Sequence, residues 1–503
     1  MNRFAALALI TPCLWAADFQ TGQAARAVIG QNSFTARSVG FTPTALALSG
    51  SSLYAADSSH RLLTFDLSAI PGARDEVSNN AESACPVCGF PQISSVAQAV
   101  LPGIAAAASF GKTAVIADTV GHRVLIWRDT SSPRAAKGPD VVLGKQGGDN
   151  SVVSAATLSE PISVAFDGKR LFVGDGALRR VLIWNSLPVS DNQPADVVLG
   201  QQSFTSVNLS DAPGPDTISR PTALVSDGND LFVADSLYHR ILIFTAGDTP
   251  LRNSGVVNSA TMVSGLLAPG TLINISGREL SNVTESAPEA SAEALPETLG
   301  GVEVYLDGQR LPLLSISPEA VRAQLPYETG DLQAGSLYVR TQRGDGTVAI
   351  TNAVAVKLSA AAPGLFTMAG AEPRIAMALH TDPASGQASG PVTSDDPAKP
   401  GELLVLWATG LGAVNDDATT GEAAAGVPYE GPDANVTHPV ASVVSGRTAQ
   451  VTSAMLPHGS IGIYEVRIQL PADLPTDANT PLLIMQDTQV SNTVTIPVEN
   501  VIH

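Results

Sequence analysis

The first half of the chain repeats with a period near sixty residues. Each unit reads as strand, tight turn, strand, polar turn and strand, and an aspartate ends the second strand. These aspartates lie 61, 57 and 60 residues apart. One such unit cannot bury its apolar face alone, so the repeat predicts stacked units. The units are PTALALSGSSLYAADSSHRLLTF (43–65), PGIAAAASFGKTAVIADTVGHRVLIW (102–127), PISVAFDGKRLFVGDGALRRVLIW (161–184) and PTALVSDGNDLFVADSLYHRILIF (221–244).

A fourth apolar segment accompanies the units, as AVIGQNSF (27–34), DVVLGKQ (140–146) and DVVLGQQSF (196–204). Four short strands per unit, repeated radially, are typical of the blades of a β-propeller. The first copy precedes every complete unit, so we expect it to pair with the last unit and close the ring. Closure would remove exposed sheet edges. An incomplete or irregular ring of four blades is the alternative.

The units PTALVSDGNDLFVADSLYHRILIF and LIWNSLPVSDNQPADVVLGQQSF resemble NHL repeats, particularly those of secreted acidobacterial proteins. The resemblance covers residues 26–247 and is weaker in the first two units. It implies a recognition scaffold, although some NHL relatives are metal-dependent lyases or lactonases.

The second half contains a duplication. APGTLINISG, VEVYLDGQRLPLLSIS and ITNAVAVKL in the first copy correspond to KPGELLVLWATG, PVASVVSGRTAQVTSAML and TQVSNTVTIPV in the second. Pro269 and Pro400 lie 131 residues apart, and Asn352 and Asn492 lie 140 apart. Alternating apolar and polar residues indicate half-buried antiparallel strands. Two β-sandwiches of about a hundred residues each are therefore predicted.

This region also resembles the C-terminal domain family of many secreted acidobacterial proteins and, distantly, immunoglobulin-like modules of cell-surface receptors. The matching segments include GVVNSA (255–260), AAPGLFTM (361–368) and GIYEVRIQLP (462–471). We therefore predict an all-β chain with a signal peptide at 1–17, an NHL-type propeller at 18–250, and immunoglobulin-like sandwiches at 251–359 and 360–503.

Charge and the N-terminus point to export. The 28 basic and 47 acidic residues give a net charge of −19, which disfavours binding to nucleic acid. Arg3, the apolar run 4–14 and Trp15-Ala16-Ala17 read as a cleaved secretory signal, too short to span a bilayer. We expect a secreted or surface protein with no membrane insertion after cleavage.

Cys85 and Cys88 form the motif CPVC in a region rich in Pro and Gly. Export favours a local disulfide between them. A redox pair would need a helix N-terminus to lower a thiol pKa, and two cysteines without a nearby histidine do not make a zinc site. A structural disulfide or an inert pair is the preferred interpretation.

Every unit carries an aspartate followed four or five residues later by an arginine. One acid per blade could converge on a cation. The alternative is that each aspartate accepts hydrogen bonds from its own turn and pairs with the nearby arginine, and a motif present in every unit favours this structural role. The pairs are Asp57 and Arg61, Asp118 and Arg123, Asp175 and Arg180, and Asp235 and Arg240.

Three histidines, His60, His122 and His239, occupy one repeat position, where turn packing is preferred over metal binding. We find no GxSxG, HExxH, Walker or GxGxxG motif, so catalysis and a cofactor are not expected.

The leading hypothesis is an extracellular binding scaffold whose propeller face recognises a glycan or protein, with the sandwiches as spacer or attachment module. The alternatives are a metal-dependent propeller hydrolase or lyase and a purely structural surface or matrix protein. The sequence does not define the oligomeric state.

Overall fold

The chain is all-β, as the sequence predicts. The structure is a computed structural model that describes residues 17–59, 61–70, 104–132, 134–135, 138–144, 152–209, 212–288, 294–329, 333–369, 373–415 and 422–500. Short 3-10 turns occur at Leu67–Ala69, Ser236–Tyr238 and Asn253–Gly255. Within the described residues, no helix has the length and apolar character needed to cross a membrane.

The first half forms four separate antiparallel sheets, one for each sequence unit. We number them in the order of their units: sheet 1 is β2-β3-β4, sheet 2 is β5-β6-β7-β8, sheet 3 is β9-β10-β11-β12 and sheet 4 is β13-β14-β15-β1. The strands are β1 (Ala27–Ile29), β2 (Pro43–Ser49), β3 (Ser52–Asp57), β4 (Leu62–Asp66), β5 (Ile104–Phe110), β6 (Thr113–Asp118), β7 (Arg123–Trp127), β8 (Val141–Leu143), β9 (Pro161–Phe166), β10 (Leu171–Asp175), β11 (Arg180–Trp184), β12 (Val197–Leu199), β13 (Pro221–Ser226), β14 (Asp230–Asp235) and β15 (Arg240–Thr245).

Sheet 3 shows why these segments form strands. Its central strands, LFVGD and RVLIW, are buried along their whole length, so both faces need apolar side chains. The hairpin between β9 and β10 turns at Asp167-Gly168, where Gly168 has a φ of 93° that a side chain would strain. Phe172 and Ile183 on one face, and Val173 and Leu182 on the other, enter two different apolar clusters. The sheet therefore packs against neighbours on both sides.

Sheet 4 takes its fourth strand from the N-terminus of the chain. Strand β1 pairs antiparallel with β15, with Ala27 opposite Ile243 and Ile29 opposite Ile241. An arginine contact repeats the same arrangement in two sheets: Arg240 donates to the carbonyl of Phe34 after β1, as Arg180 donates to that of Phe204 after β12. AVIGQNSF is thus the structural counterpart of VVLGQQSF, in a sheet assembled from both ends of the first half.

The sheets lie side by side, with their first strands adjacent in the order β5, β9, β13 and β2. A hydroxyl group joins each neighbouring pair of sheets. Thr119 Oγ1 donates to the carbonyl of Pro161 over 2.6 Å, Ser163 Oγ to that of Pro221 over 2.6 Å, and Thr222 Oγ1 to that of Pro43 over 3.2 Å. Each acceptor is the first residue of a first strand, so these strands point the same way.

Residues 251–358 form a β-sandwich. One sheet has the order β16-β18-β23-β22-β19 and the other β17-β26-β24-β20-β21, with β25 beside β24. Side chains from both sheets, such as Ile273, Val321, Val304 and Val339, share one buried core. The strands are β16 (Val256–Asn258), β17 (Leu266–Leu267), β18 (Leu272–Ser276), β19 (Glu285–Ser286), β20 (Val302–Leu306), β21 (Gln309–Arg310), β22 (Leu313–Ile316), β23 (Ala320–Gln324), β24 (Ala334–Gln342), β25 (Val348–Ile350) and β26 (Val354–Leu358).

Residues 364–498 form a second sandwich, in which the long strand β33 pairs with both β34 and β32 and so joins the two layers. Leu406 and Val466 from one layer meet Ile484 and Ile496 from the other in a common core. The strands are β27 (Gly364–Leu365), β28 (Ala378–Thr381), β29 (Ala388–Pro391), β30 (Leu403–Thr409), β31 (Ala434–Asn435), β32 (Val440–Val444), β33 (Arg447–Leu456), β34 (Tyr464–Gln469), β35 (Asp477–Gln486), β36 (Gln489–Val490) and β37 (Val494–Val498).

The two sandwiches use one asparagine in the same way. Asn352 accepts from the amide of Leu251 over 2.7 Å and donates to its carbonyl over 2.9 Å. Asn492, its counterpart in the duplication, makes the same pair of bonds with Leu365, at 2.8 and 3.0 Å. Each asparagine therefore holds the segment by which the chain enters its sandwich.

The N-terminal segment also connects the four sheets to the first sandwich. Ala24 forms an antiparallel bridge with Ala353 and packs on the stacked rings of Tyr305 and Tyr338. Ser336 Oγ donates to the carbonyl of Ala25 over 2.5 Å. Removing this segment would therefore expose apolar surface in both parts of the molecule.

A first prediction concerns this segment. Deleting residues up to 34 removes β1 and the buried rings of Phe19 and Phe34, and leaves the edge of β15 open. We expect the melting temperature to fall by at least about 10 °C, or the protein to aggregate, because burying each phenylalanine contributes roughly 1.5–3 kcal/mol and open edges associate. Deletion of residues 1–16 alone is the control. Equal melting temperatures for the two truncated chains would contradict this role for β1.

A second prediction concerns Asp307, in the β20–β21 hairpin beside Ser336. Burial raises the pKa of Asp307 to about 6, and its Oδ2 has no hydrogen-bond partner in the described structure. The folded chain therefore holds this proton more tightly than the unfolded chain, so this group lowers stability as pH rises from about 4 to 6. Asp307→Asn should raise the melting temperature at pH 7.5 and have a smaller effect at pH 4.

The control for this experiment is Asp345→Asn. The hydrogen bond from the Thr347 hydroxyl lowers the pKa of Asp345, so neutralising it should not raise the melting temperature at pH 7.5. Asparagine also suits the left-handed backbone of Asp307, whose φ is 51°. If Asp307→Asn raises the melting temperature equally at pH 4 and pH 7.5, the gain comes from the backbone conformation. That result would contradict the role of the Asp307 charge.

Candidate functional site

One end of the four sheets gathers the repeated charged residues. In each sheet the aspartate that ends the second strand lies opposite the first residue of the first strand, as Asp175 lies opposite Pro161. The turn to the third strand and the loop after the fourth strand reach the same end. We call it the turn end; it comprises residues 30–42, 57–62, 118–123, 144–160, 175–180, 200–220 and 235–240, as far as they are described.

The turn aspartates accept hydrogen bonds from backbone amides. Asp175 accepts from the amides of Ser159 and Glu160 over 2.9 Å each. Asp235 makes the equivalent bonds with Ser219 and Arg220 over 2.8 Å. These amides belong to the loop that leads into the first strand of the same sheet. These two carboxylates therefore fix the entry to their sheets, whereas Asp57 and Asp118 accept from amides of their own turns.

Three of the four predicted pairs bond side chain to side chain; the exception is Asp175 with Arg180, whose guanidinium donates to backbone carbonyls. Arg61 Nε lies 2.9 Å from Asp57 Oδ2, and this hydrogen bond lowers the pKa of Asp57. The corresponding distances are 2.8 Å from Arg123 to Asp118 and 2.9 Å from Arg240 to Asp235.

The guanidinium groups of Arg180 and Arg240 are fully buried and reach beyond their aspartates. Arg180 donates to the carbonyls of Phe204, Ser154 and Thr157. Burial lowers the pKa of Arg180, and the charge of Asp175 opposes this effect. These arginines tie the loop after the fourth strand to the sheet, so they stabilise the scaffold.

In sheets 2, 3 and 4, the residue directly before the repeated arginine contacts the neighbouring sheet. His122, Arg179 and His239 share one repeat position and a left-handed backbone, with φ of 53°, 50° and 54°. His122 Nδ1 donates to the carbonyl of Ser159, Arg179 Nη1 to that of Leu209, and His239 Nδ1 lies 2.8 Å from Thr42 Oγ1. The imidazoles are thus spread along the boundaries between sheets and do not converge.

An ion pair also links sheets 3 and 4 at this end. Arg220 Nη2 lies 2.8 Å from Glu160 Oε1, and both side chains are partly exposed. These residues hold the same position, directly before the proline that starts β9 or β13. Comparing SEP with SRP in the aligned units would have revealed this pair, which the sequence analysis missed.

Metal binding at the turn end has no support in the described residues, where no group of three histidine, cysteine or carboxylate side chains is placed to hold an ion. His60, Cys85 and Cys88 lie outside the residues that the structure describes, as does most of the predicted signal peptide. The disulfide therefore stays a prediction.

No protein-family model and no curated protein matches the chain. The solved structures that resemble it include Clostridium thermocellum CbhA fibronectin(III)-like modules, with 15% identity, coverage of 49% of this chain and 94% of that chain, and a TM-score of 0.14. The D00-D0 domain of Intimin shows 14% identity, 48% and 98% coverage and a TM-score of 0.12. A bacterial ice-binding adhesin shows 12% identity, 77% and 90% coverage and a TM-score of 0.14. TM-scores this low do not establish a shared fold.

The pair of Asp235 and Arg240 yields a prediction. Asp235→Asn leaves a buried guanidinium without its counter-charge, so we expect the free energy of unfolding, measured in urea, to fall by about 3–5 kcal/mol. Asp57→Asn is the matched variant, because the Arg61 side chain is 50% exposed and water can solvate it. A loss from Asp57→Asn as large as that from Asp235→Asn would contradict the role of burial.

Proposed function

We propose that the chain is an exported binding scaffold in which four NHL-type propeller blades present the turn end to a partner. The two sandwiches, immunoglobulin-like in this proposal, act as spacer or attachment module. The observation that carries the proposal is the alignment of four repeated sheets whose turns between the second and third strands all lie at one end. Loops held on a rigid framework are the usual place for recognition.

The join to the sandwich supports this assignment. Strand β15 runs from Arg240 at the turn end to Thr245 at the opposite end, and the chain then enters the first sandwich. There Asp18 bridges Gly247, and the amide of Asp248 donates to the carbonyl of Ile350 over 2.7 Å. The first sandwich thus occupies part of the opposite end of the four sheets.

The residues also favour binding over catalysis. The repeated aspartates and arginines use their charges on backbone groups and on each other, as a framework requires. A general acid or base would need a carboxylate or imidazole directed at an open cleft. The turn end instead offers exposed aliphatic side chains, which suit contact with another surface.

Retention on cells tests the proposal. Purified full-length chain, labelled and added at nanomolar concentration to cells of the source organism, should be retained on their surface. The double variant Leu62→Glu/Leu237→Glu, altered at the turn end, should bind at least tenfold less, because charges there would have to lose water on contact. Protease treatment of the cells would separate a protein partner from a glycan.

The matched control is Met262→Glu/Val263→Glu, which alters exposed side chains of the first sandwich. Equal retention of the turn-end variant and the unaltered chain would overturn the assignment of recognition to the four sheets. Loss confined to the sandwich variant would assign recognition to the second half. Absence of retention by every chain would favour the purely structural role.

A further inference from the structure

The turn end exposes large aliphatic side chains. Val39 is 84% exposed, Leu62 69% and Leu237 57%, although each lies in or beside a well-bonded turn. They come from three different segments: the loop after β1, the start of β4 and the turn between β14 and β15. Exposed aliphatic groups that form a contiguous patch mark a contact surface.

Hydrogen bonds connect the three segments that carry these side chains. Arg61, next to Leu62, donates to the carbonyl of Gly40 over 2.8 Å. Gln31 donates to the carbonyl of Ser38 over 2.9 Å and to that of His239 over 2.9 Å. Val39 is therefore held between the turn that carries Leu62 and the turn that carries Leu237. We call these three residues the apolar cluster.

The neighbouring turns continue the surface. Val120 lies in the equivalent turn of sheet 2, and Val152 and Leu209 lie in the loops that lead into sheets 3 and 4. Aromatic side chains, on which a sugar ring would stack, are turned inward: Phe34, Phe41 and Tyr238 are buried. An aliphatic surface of this kind suits a protein better than a glycan.

The distribution of charge favours one partner over others. With a net charge of −19, most pairs of surfaces on two copies of the chain repel each other. At the described turn end the charges balance, because arginines of the same turns match the aspartates and Arg220 matches Glu160. Arg37 adds a positive charge there, and the partly exposed Asp216 adds a negative one. Two copies can therefore meet at this end with the least repulsion.

We propose that the partner recognised by the turn end is a second copy of this chain. Resting on the function proposed above, this inference identifies its partner: the copies meet end to end about a twofold axis, each apolar cluster against the other copy's turn end. A twofold contact uses the same surface on both copies and stops at the dimer. The pair then carries its sandwiches outward in opposite directions.

Sedimentation velocity of the full exported chain, from about 1 to 100 μM, tests the inference. We expect a reversible monomer–dimer equilibrium with a dissociation constant of order micromolar, as for a small interface. Leu62→Glu/Leu237→Glu should raise that constant at least tenfold, since each substitution acts twice in a twofold contact. Val189→Glu is the matched control: Val189 is 71% exposed but lies at the opposite end of sheet 3, so dimerisation should not change.

Three results would overturn the inference. These are a monomer at 100 μM, a dimer unaffected by the turn-end glutamates, and growth beyond the dimer, which would indicate a head-to-tail contact with an acidic flank. The substituted residues are exposed, so melting temperatures within about 2 °C should confirm that the variants fold. Turn-end-dependent retention on cells by a chain that stays monomeric would uphold the proposed function and reject a second copy as its partner.

Discussion

The pairing of β1 with β15 is the contact on which the last sheet of the repeat and its junction with the first sandwich depend. It joins residues more than two hundred positions apart and completes a sheet that would otherwise end in an open edge. The segment just before β1 also lies on the first sandwich, through Ala24 and Ala25. One short stretch of chain therefore stabilises the last sheet of the repeat and fixes its junction with the second half.

The repeated aspartate and arginine show how one motif is used to different degrees. In sheet 4 the pair is fully buried, so its charges need each other and the loop carbonyls around them. In sheet 1 the arginine is half exposed, so water also solvates its charge. The same residues thus give a buried pair in sheet 4 and a more solvated pair in sheet 1.

The sandwiches repeat one another at the level of single hydrogen bonds. Asn352 and Asn492 each hold the entering chain through both its amide and its carbonyl, and Thr409 Oγ1 accepts from the amide of Leu272 across the boundary between sandwiches. Paired bonds of this kind restrict rotation at the joints.

The sequence by itself determined the all-β class, the four units and the duplication, because strand periodicity and turn glycines are local properties. It also indicated that AVIGQNSF belongs with the last unit. What it did not determine is how the units meet. His122, Arg179 and His239 contact the next sheet, and Glu160 forms an ion pair with Arg220. Hydrogen bonds also connect the segments that carry Val39, Leu62 and Leu237. These contacts join different units. Those neighbours exist only once the sheets are placed side by side, so the tertiary structure alone decided which residues of different units meet at the turn end.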